Sequence, residues 1–384
     1  MNKNDAVALL TELVAIPSVN PRCNPDPAIC GEHRLAKFLE QWAEQNGIAV
    51  RRFETEDGYP NLLFMIGSDA PEAKTLLFGA HMDTVWPAGM EEPFRLKDRG
   101  DGTFAGLGSV DDKGCLCTAM LALLELKKRP LPCRVQLLAT CDEEAGFAGI
   151  DRMVPSEVRP DAAVIMEGTS LDVVTASKGT VRYRVTVRGK AAHSSQLWLG
   201  DNAVYKILPL IEATERKSQE LMQSGRKHPL LGTATLNLGV ITGGSQVNSV
   251  PDSCTFLLDR RVLPGDTVEQ VLQELRDLYD PLGIPYEISE PFFVTMPFEE
   301  PEGSPLPGFV LNRIRRKVPG SKIRGVMFSA ETSRTAAFGI PSVLFGPGSI
   351  DSAHSPNEHI DPAEIVTAAE CLIDLAEHFE EYSK

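Results

Sequence analysis

The stretch Val135–Glu144, VQLLATCDEE, joins an apolar run to three consecutive acids. Its first residues are apolar and β-prone, which predicts a buried strand. The strand leads into Asp142, Glu143 and Glu144. Ionised carboxylates at the edge of an apolar sheet repel one another and resist desolvation unless a cation, an arginine or water compensates them. We therefore expect the rest of the chain to supply a positive partner for these acids.

The size and charge of the chain limit its architecture and its partners. At 384 residues it is longer than one hydrophobic core usually serves, which predicts two domains, and its 42% hydrophobic residues are typical of a folded globular protein. The formal net charge is -15, and nucleic acids and anionic membranes bind basic surfaces instead. The expected partner is a small metabolite or a short peptide.

The cysteines and the first residues indicate a compartment. The eight cysteines have no repeated spacing and mostly lie among apolar residues, as reduced thiols do in cytosolic proteins. Met1–Leu13 carries charges that do not fit a signal peptide. No uncharged run approaches the roughly 18 residues of a membrane helix. We expect a cytoplasmic protein that does not bind a membrane.

Two kinds of sheet are predicted along the chain. Up to Glu167, apolar strands alternate with helices, which predicts an α/β domain with a largely parallel sheet flanked by helices. Val181–Val187 then alternates apolar and charged residues, as a strand with one solvent-facing side does. The elements that follow indicate a smaller α+β domain inserted into the first. The expected limits are 1–176 and 292–384 for the discontinuous main domain and 177–291 for the insert.

Histidines and acids follow the ends of predicted strands or precede a predicted helix. They are His81, Asp111, Glu144, Glu167 and His354. Taken singly, each has a structural explanation, such as helix capping by an acid at a helix start. Because open α/β sheets place their sites along the edge where strands end, we expect all five to share one site. Such nitrogen and oxygen ligands suit two divalent ions, and histidine favours zinc over magnesium.

Two further acids have predicted supporting roles. Asp83 follows His81 by two residues and can accept the proton of the imidazole nitrogen that does not face a metal. Glu143 and Glu144 are adjacent, so both serve one site only if the strand has already ended in a turn. Two metals and a free glutamate indicate metal-assisted hydrolysis, in which the ions acidify a water and the glutamate removes its proton.

Five motifs in order carry a family resemblance that runs from the first helix to the C-terminus. HMDTV, DDKG, DEE, EGTS and AHSP resemble the dinuclear-zinc hydrolase family that includes acetylornithine deacetylase, succinyl-diaminopimelate desuccinylase, aminoacylase and bacterial glutamate carboxypeptidase. The resemblance implies a zinc-peptidase α/β domain with an inserted lid that usually dimerises. It implies two zinc ions per subunit, replaceable by cobalt. His81 and Glu167 would hold one, Glu144 and His354 the other, with Asp111 as the bridge.

The same resemblance implies roles for residues that are not metal ligands. Glu143 would be the general base, Asp83 would orient His81, and the peptide bond before Asp112 would be cis.

Three lid residues are included in the resemblance. His193, by itself a surface histidine at a strand end, would reach the site of the neighbouring subunit in a homodimer and stabilise the oxyanion. Asn248 and Arg261 would lie near the substrate carboxylate.

The two ends of the chain favour different substrates within the family. Arg159–Ser170, Thr233–Gly244 and Gly346–Glu358 resemble acetylornithine deacetylase. The N-terminal part of the chain, with HMDTV and DDKG, is closer to glutamate carboxypeptidase, because Asp112 stands where deacetylases and desuccinylases usually have methionine. Gly168 also replaces a proline common in deacetylases.

We expect an enzyme that hydrolyses an N-acyl amino acid as acetylornithine deacetylase does. The alternatives are a glutamate-carboxypeptidase-like or desuccinylase-like hydrolase and, more remotely, a metal-binding protein without activity. The presence of the base and of all five ligands speaks against an inactive protein. A barrel amidohydrolase would require eight βα units and a His-X-His pair, whereas Asp83 stands at the second position of that pair.

Overall fold

The chain divides into two compact units in the structure, a computed structural model that describes residues 1–24 and 26–382. The first unit comprises Met1–Thr175, Glu300–Arg324 and Ala330–Lys384, and the second comprises Ala176–Glu299 and Gly325–Ser329. Each unit has a hydrophobic core of its own. The domain limits expected from the sequence stay a prediction, because compactness alone does not show that each part is a separate domain.

The α-helices follow the apolar periodicity of the sequence. They are α1 (Lys3–Ala15), α2 (His33–Gln45), α3 (Lys113–Leu126), α4 (Ala148–Met153), α5 (Ala203–Ser224), α6 (Val268–Tyr279), α7 (Pro305–Ile314), α8 (Thr332–Ala337) and α9 (Pro362–Glu377). Within the described residues, no helix is both long and apolar enough to cross a membrane.

The strands range from two to ten residues. They are β1 (Ala49–Glu54), β2 (Pro60–Gly67), β3 (Thr75–His81), β4 (Lys97–Asp98), β5 (Phe104–Ala105), β6 (Arg134–Thr140), β7 (Ala162–Ile165), β8 (Val173–Ser177), β9 (Gly179–Arg188), β10 (Lys227–His228), β11 (Gly232–Thr233), β12 (Thr235–Gly243), β13 (Ser253–Val262), β14 (Glu287–Ile288), β15 (Phe293–Thr295), β16 (Phe298–Glu299), β17 (Ile323–Val326), β18 (Ser342–Leu344) and β19 (His359–Ile360).

The main sheet of the first unit has the order β1-β2-β6-β3-β7-β18-β8. Its centre, β6-β3-β7-β18, is parallel, whereas β1, β2 and β8 join it antiparallel. The central strands are almost wholly buried, as expected for parallel strands covered by helices on both faces. Helices α1, α2, α3 and α9 contribute to the same core. The predicted α/β class with a largely parallel, helix-flanked sheet is confirmed.

Strand β1 was not predicted from the sequence. Its residues AVRRFE contain three charged side chains, and none of the six is fully buried. Within the described residues it pairs only with β2 and lies at the edge of the sheet, where hydrogen bonds to a neighbouring strand determine the backbone without an apolar pattern.

The second unit contains an antiparallel sheet in the order β12-β13-β9-β14, with β15 also paired to β9. Burial alternates strictly along β13, which matches the one-sided pattern predicted for this region. The buried side chains of β9, β13, α5 and α6 form the core of this unit.

Candidate metal centre

The candidate ligands of the first unit lie where the central parallel strands end. His81 is the last residue of β3, Glu144 follows β6 and Glu167 follows β7. His354 lies in the loop after β18, and Asp111 lies just before α3. Because β3, β6, β7 and β18 run parallel, their carboxyl ends meet at one edge of the sheet. Residues more than 250 positions apart thereby reach the same place.

The acids after β6 lie in a turn. The strand ends at Thr140, and Asp142 adopts a left-handed backbone conformation with φ of 60°. The backbone N–H groups of Glu143 and Glu144 each donate to the carboxylate of Asp83, to Oδ1 and Oδ2 respectively, at 3.1 Å. The turn required for both glutamates to serve one site is therefore present.

Asp111 lies between the two histidines. Its Oδ1 is 2.9 Å from Nε2 of His81, and its Oδ2 is 3.0 Å from Nε2 of His354. Glu144 joins the group, with Oε2 3.2 Å from Nε2 of His354. The ligand atoms of His81, Asp111 and Glu144 all lie within 4.8 Å of one another. A carboxylate with a different imidazole at each oxygen has the arrangement of a bridge between two cations.

Glu167 is the fifth candidate ligand. The side chain is buried, and its Oε2 makes no hydrogen bond within residues 1–24 and 26–382. Burial, followed by the charge of Asp111, raises the pKa of Glu167 well above its usual value. A buried carboxylate oxygen without a donor is costly unless a cation satisfies it.

The two imidazoles and three carboxylates suit two divalent cations, which would compensate their buried negative charge. Burial and the neighbouring charge of Asp111 raise the pKa of Glu144 to about 7. Burial alone would lower the pKa of His81, but its hydrogen bonds to Asp111 and Asp83 raise it well above the usual value. Both shifts reflect an excess of negative charge away from water. Two imidazoles and three carboxylates are ligands of the kind that zinc binds.

Residues around the ligands hold them in position. Nδ1 of His81 lies 3.0 Å from the carbonyl oxygen of Asp83 and 3.5 Å from its Oδ1. Asn20 donates from Nδ2 to Asp83 Oδ2 at 2.8 Å and to Asp142 Oδ1 at 3.1 Å. Asp112 Oδ2 accepts the backbone N–H of His81 at 3.0 Å, and the peptide bond between Asp111 and Asp112 is cis, as the resemblance implied.

Two buried residues near the site were missed from the sequence. Glu358 accepts three backbone N–H groups of the loop before Asp111, and Asn20 joins Asp83 to Asp142. Glu358 ends the stretch Gly346–Glu358, in which only His354 was predicted as a site residue. Asn20 carries no charge and belongs to no periodic pattern, so only the tertiary structure identifies it.

The predicted lid residues belong to the second unit. Nδ1 of His193 lies 3.2 Å from the backbone nitrogen of Ser195 and 2.7 Å from its Oγ. The carbonyl of Asn248 accepts the N–H of Ser194 at 3.0 Å, so the segments of His193 and Asn248 are neighbours. Arg261 donates from Nε to Asp259 at 2.9 Å.

A mixed α/β unit that gathers imidazoles and carboxylates at the ends of parallel strands is the framework of a metal-dependent hydrolase. The family model described as peptidase family M20/M25/M40 matches residues 77–378, and the chain belongs to this family. It is therefore a metallohydrolase that acts on amide or peptide bonds, and the resemblance predicted from its motifs is confirmed.

Individual proteins of known name resemble this chain in sequence or in fold. An acetylornithine deacetylase of Proteus mirabilis (strain HI4320) is 30% identical over 97% of this chain and 96% of its own. An M20 family metallo-carboxypeptidase from Sulfolobus solfataricus shares the fold with a TM-score of 0.80, 19% identity and coverage of 98% and 99%. A dinuclear metal binding peptidase of the M20 family from Bacillus subtilis has a TM-score of 0.69, 14% identity and coverage of 99% and 98%.

Proposed function

We propose that the protein removes the acyl group from an N-acyl amino acid, as acetylornithine deacetylase does, with two zinc ions and Glu143 as general base. The observation that carries the proposal is Asp111, whose two carboxylate oxygens face His81 and His354 separately. The name of the Proteus mirabilis relative supports the substrate class. His81 and Glu167 would hold one ion, and Glu144 and His354 the other.

The protein residues would divide the work around these ions. When bound, the two cations supply Lewis acidity that polarises the amide carbonyl and acidifies water. Asp83 holds the N–H groups of Glu143 and Glu144, which fixes the turn on which one carboxylate binds metal and the other stays free. Glu143 then takes the proton of the attacking water and passes it to the leaving amine.

The second unit would contribute groups that recognise the substrate. The imidazole of His193 would donate a hydrogen bond to a developing oxyanion. Arg261 has its Nε held by Asp259, which orients a guanidinium fork for a substrate carboxylate, and Asn248 would assist it. These three roles rest on the resemblance and remain proposals.

Substrate profiling with a base-deficient variant tests the proposal. We expect the zinc-loaded enzyme to cleave N-acetyl amino acids faster than N-succinyl amino acids or dipeptides. Glu143→Ala should abolish turnover with close to two zinc ions still bound per chain, since Glu143 is not a ligand. Glu56→Ala, which removes an exposed acid of the same unit, should keep both activity and zinc. An active Glu143→Ala enzyme would exclude the assigned base.

A carboxypeptidase-like activity is the second candidate. Asp112 carries a carboxylate where deacetylases usually have methionine, and its Oδ1 is buried without a hydrogen bond in the described part of the chain. The likeness to the Sulfolobus solfataricus carboxypeptidase concerns the fold. Faster release of a C-terminal residue from dipeptides in the same panel would favour this candidate, and preference for N-succinyl substrates would favour a desuccinylase. A zinc-loaded enzyme that cleaves none of them would indicate a metal-binding protein without catalysis.

We also propose that the protein is a homodimer joined through the second unit. Strand β12 is at the edge of its sheet, and Val240 and Ile241 near its end are exposed. Tyr205 and Leu208, one helical turn apart on α5, are exposed as well, with Tyr205 at 71%. An unpaired edge strand beside exposed apolar side chains is a surface suited to a second copy.

The dimer is tested by its mass and its activity. Analytical ultracentrifugation should give twice the chain mass of 41.9 kDa. The double variant Val240→Glu and Ile241→Glu should be monomeric, zinc-loaded and nearly inactive, because His193 would no longer reach a partner site. Phe338→Glu, at an exposed apolar residue of the first unit, should remain dimeric. A fully active monomer would contradict the role of His193 in trans.

The cytoplasmic location also remains a prediction, consistent with eight free thiols, six of them buried.

A further inference from the structure

Glu358 binds the loop that leads to Asp111 in an unusual way. Its Oε1 accepts the backbone N–H groups of Val110 at 2.8 Å and Asp111 at 3.1 Å, and its Oε2 accepts that of Gly108 at 3.0 Å. Glu358 is 1% exposed. One buried carboxyl group thus satisfies three donors of a four-residue segment.

The main chain of Glu358 is tied to the same loop. Its carbonyl accepts the N–H of Gly106 at 3.4 Å, and the following strand β19 pairs with β5, with His359 opposite Ala105. The loop is therefore held at its beginning by backbone pairing and at its end by the carboxylate. Gly108 has φ of 77°, and a Cβ there would lie 2.9 Å from Thr84 Cγ2, so the loop has little room to shift.

Glu358 also follows His354 by four residues in the same loop. His354 lies 3.0 Å from Asp111, and its side chain is 52% exposed, so surrounding side chains restrain its ring only in part. Bonds from Glu358 to the Asp111 loop connect the two chain segments that approach the second metal position. A displacement of Glu358 would move the Asp111 carboxylate relative to the His354 ring.

We propose that Glu358 is a positioning residue that holds Asp111 and His354 at the separation needed to bind the metal pair. This inference rests on the metal site of the proposed function. Glu358 touches neither substrate nor metal, and it acts through the backbone of Gly108–Asp111. Residues that orient metal ligands typically change metal affinity by about 10- to 100-fold when substituted.

Cobalt binding to the metal-free full-length protein tests the proposal. Glu358→Gln keeps the size of the side chain but turns an NH₂ group toward backbone N–H donors. We expect cobalt affinity, followed by equilibrium dialysis and by visible absorption of the bound ion, to fall at least about 10-fold. With saturating zinc, kcat should fall while KM for the amide substrate stays near that of the wild type.

Glu364→Gln is the matched control. Glu364 also accepts a backbone N–H through Oε2, from Gly348 at 2.7 Å, but this bond joins it to the loop six residues before His354 and not to the Gly108–Asp111 segment. Its cobalt affinity should match that of the wild type. Glu358→Asp keeps the charge but shortens the side chain. It should also weaken cobalt binding, and it serves as the test if the glutamine variant does not fold.

Wild-type cobalt affinity and spectrum in a folded Glu358 variant would overturn the inference, and so would an equal loss in Glu364→Gln. A purely structural role would lower only the melting temperature of the metal-free protein. Because cobalt binding needs no substrate, its result is independent of whether the proposed amide hydrolysis is correct.

Discussion

Replacing Asn20 by alanine should destabilise the first unit. Asn20 is fully buried, and its Nδ2 donates to Asp83 Oδ2 and Asp142 Oδ1, while its Oδ1 accepts the N–H of Arg22 at 2.9 Å. Hydrogen bonds to charged groups contribute about 1.5–3 kcal/mol each, so the two carboxylate bonds together contribute about 3–6 kcal/mol. At about 2 °C per kcal/mol for a unit of this size, the melting midpoint should fall by about 6–12 °C.

Thermal unfolding of the metal-free protein, followed by circular dichroism, measures this change. Asn46→Ala is the control, because Asn46 donates one hydrogen bond from Nδ2 to the neutral carbonyl of Trp42. It should cost about 1 kcal/mol, or about 2 °C.

A second variant tests whether Asn20 stabilises the unit by donating hydrogen bonds to the two carboxylates. Asn20→Asp preserves shape but places a third carboxylate against Asp83 and Asp142, so it should melt below Asn20→Ala at neutral pH. If Asn20→Asp is the more stable variant, or if Asn20→Ala melts within 2 °C of the Asn46→Ala control, the side chain only fills space and the reasoning is wrong.

Three further predictions concern the metal and the packing. Removal of metal by a chelator should lower the melting midpoint reversibly, since a ligand at 100 times its Kd stabilises by about 2.7 kcal/mol. Gly114→Ala in α3 should lower the free energy of unfolding by about 1–3 kcal/mol and weaken cobalt binding, because its Cβ would lie 2.3 Å from the carbonyl oxygen of Ser109. Gly308→Ala in α7 is the control: a Cβ there has free space, so this variant should be as stable as the wild type or more stable. Phe64→Ala, buried against Trp42, should lower the free energy of unfolding by about 3–5 kcal/mol in urea denaturation.

The sequence predicted the strands and helices that depend on side-chain pattern. The buried strand that begins near Val135 and the alternation of strands and helices up to Glu167 were predicted correctly, because apolar runs and helical periodicity record burial directly. Strand β1 was missed because its residues are polar and its conformation depends on pairing with β2. The strands β15 and β16 were missed because they are only three and two residues long, too short to show a pattern, and their conformation depends on pairing with β9 and β8.

The candidate site also contains some residues that the sequence predicted and others that only the structure identified. Residue type and position after strands were enough to propose His81, Asp111 and Glu144, and the structure brings their ligand atoms together. The supporting residues Asn20 and Glu358 could not be proposed, because they act through hydrogen bonds to residues 63 and about 250 positions away.

The stretch Val135–Glu144 illustrates what each level determines. The sequence by itself determined that a buried strand ends in acids that need a cation, since apolar burial and charge repulsion are properties of the side chains. Only the tertiary structure decided how the acids are used: the carboxylate of Asp83 receives the N–H groups of Glu143 and Glu144 and so fixes the turn. The parallel strands then bring His81 and the loop of His354 to the same edge, because hydrogen-bonded pairing, which no local pattern encodes, sets which strand ends are neighbours. Asp111, just before α3, lies between these two histidines.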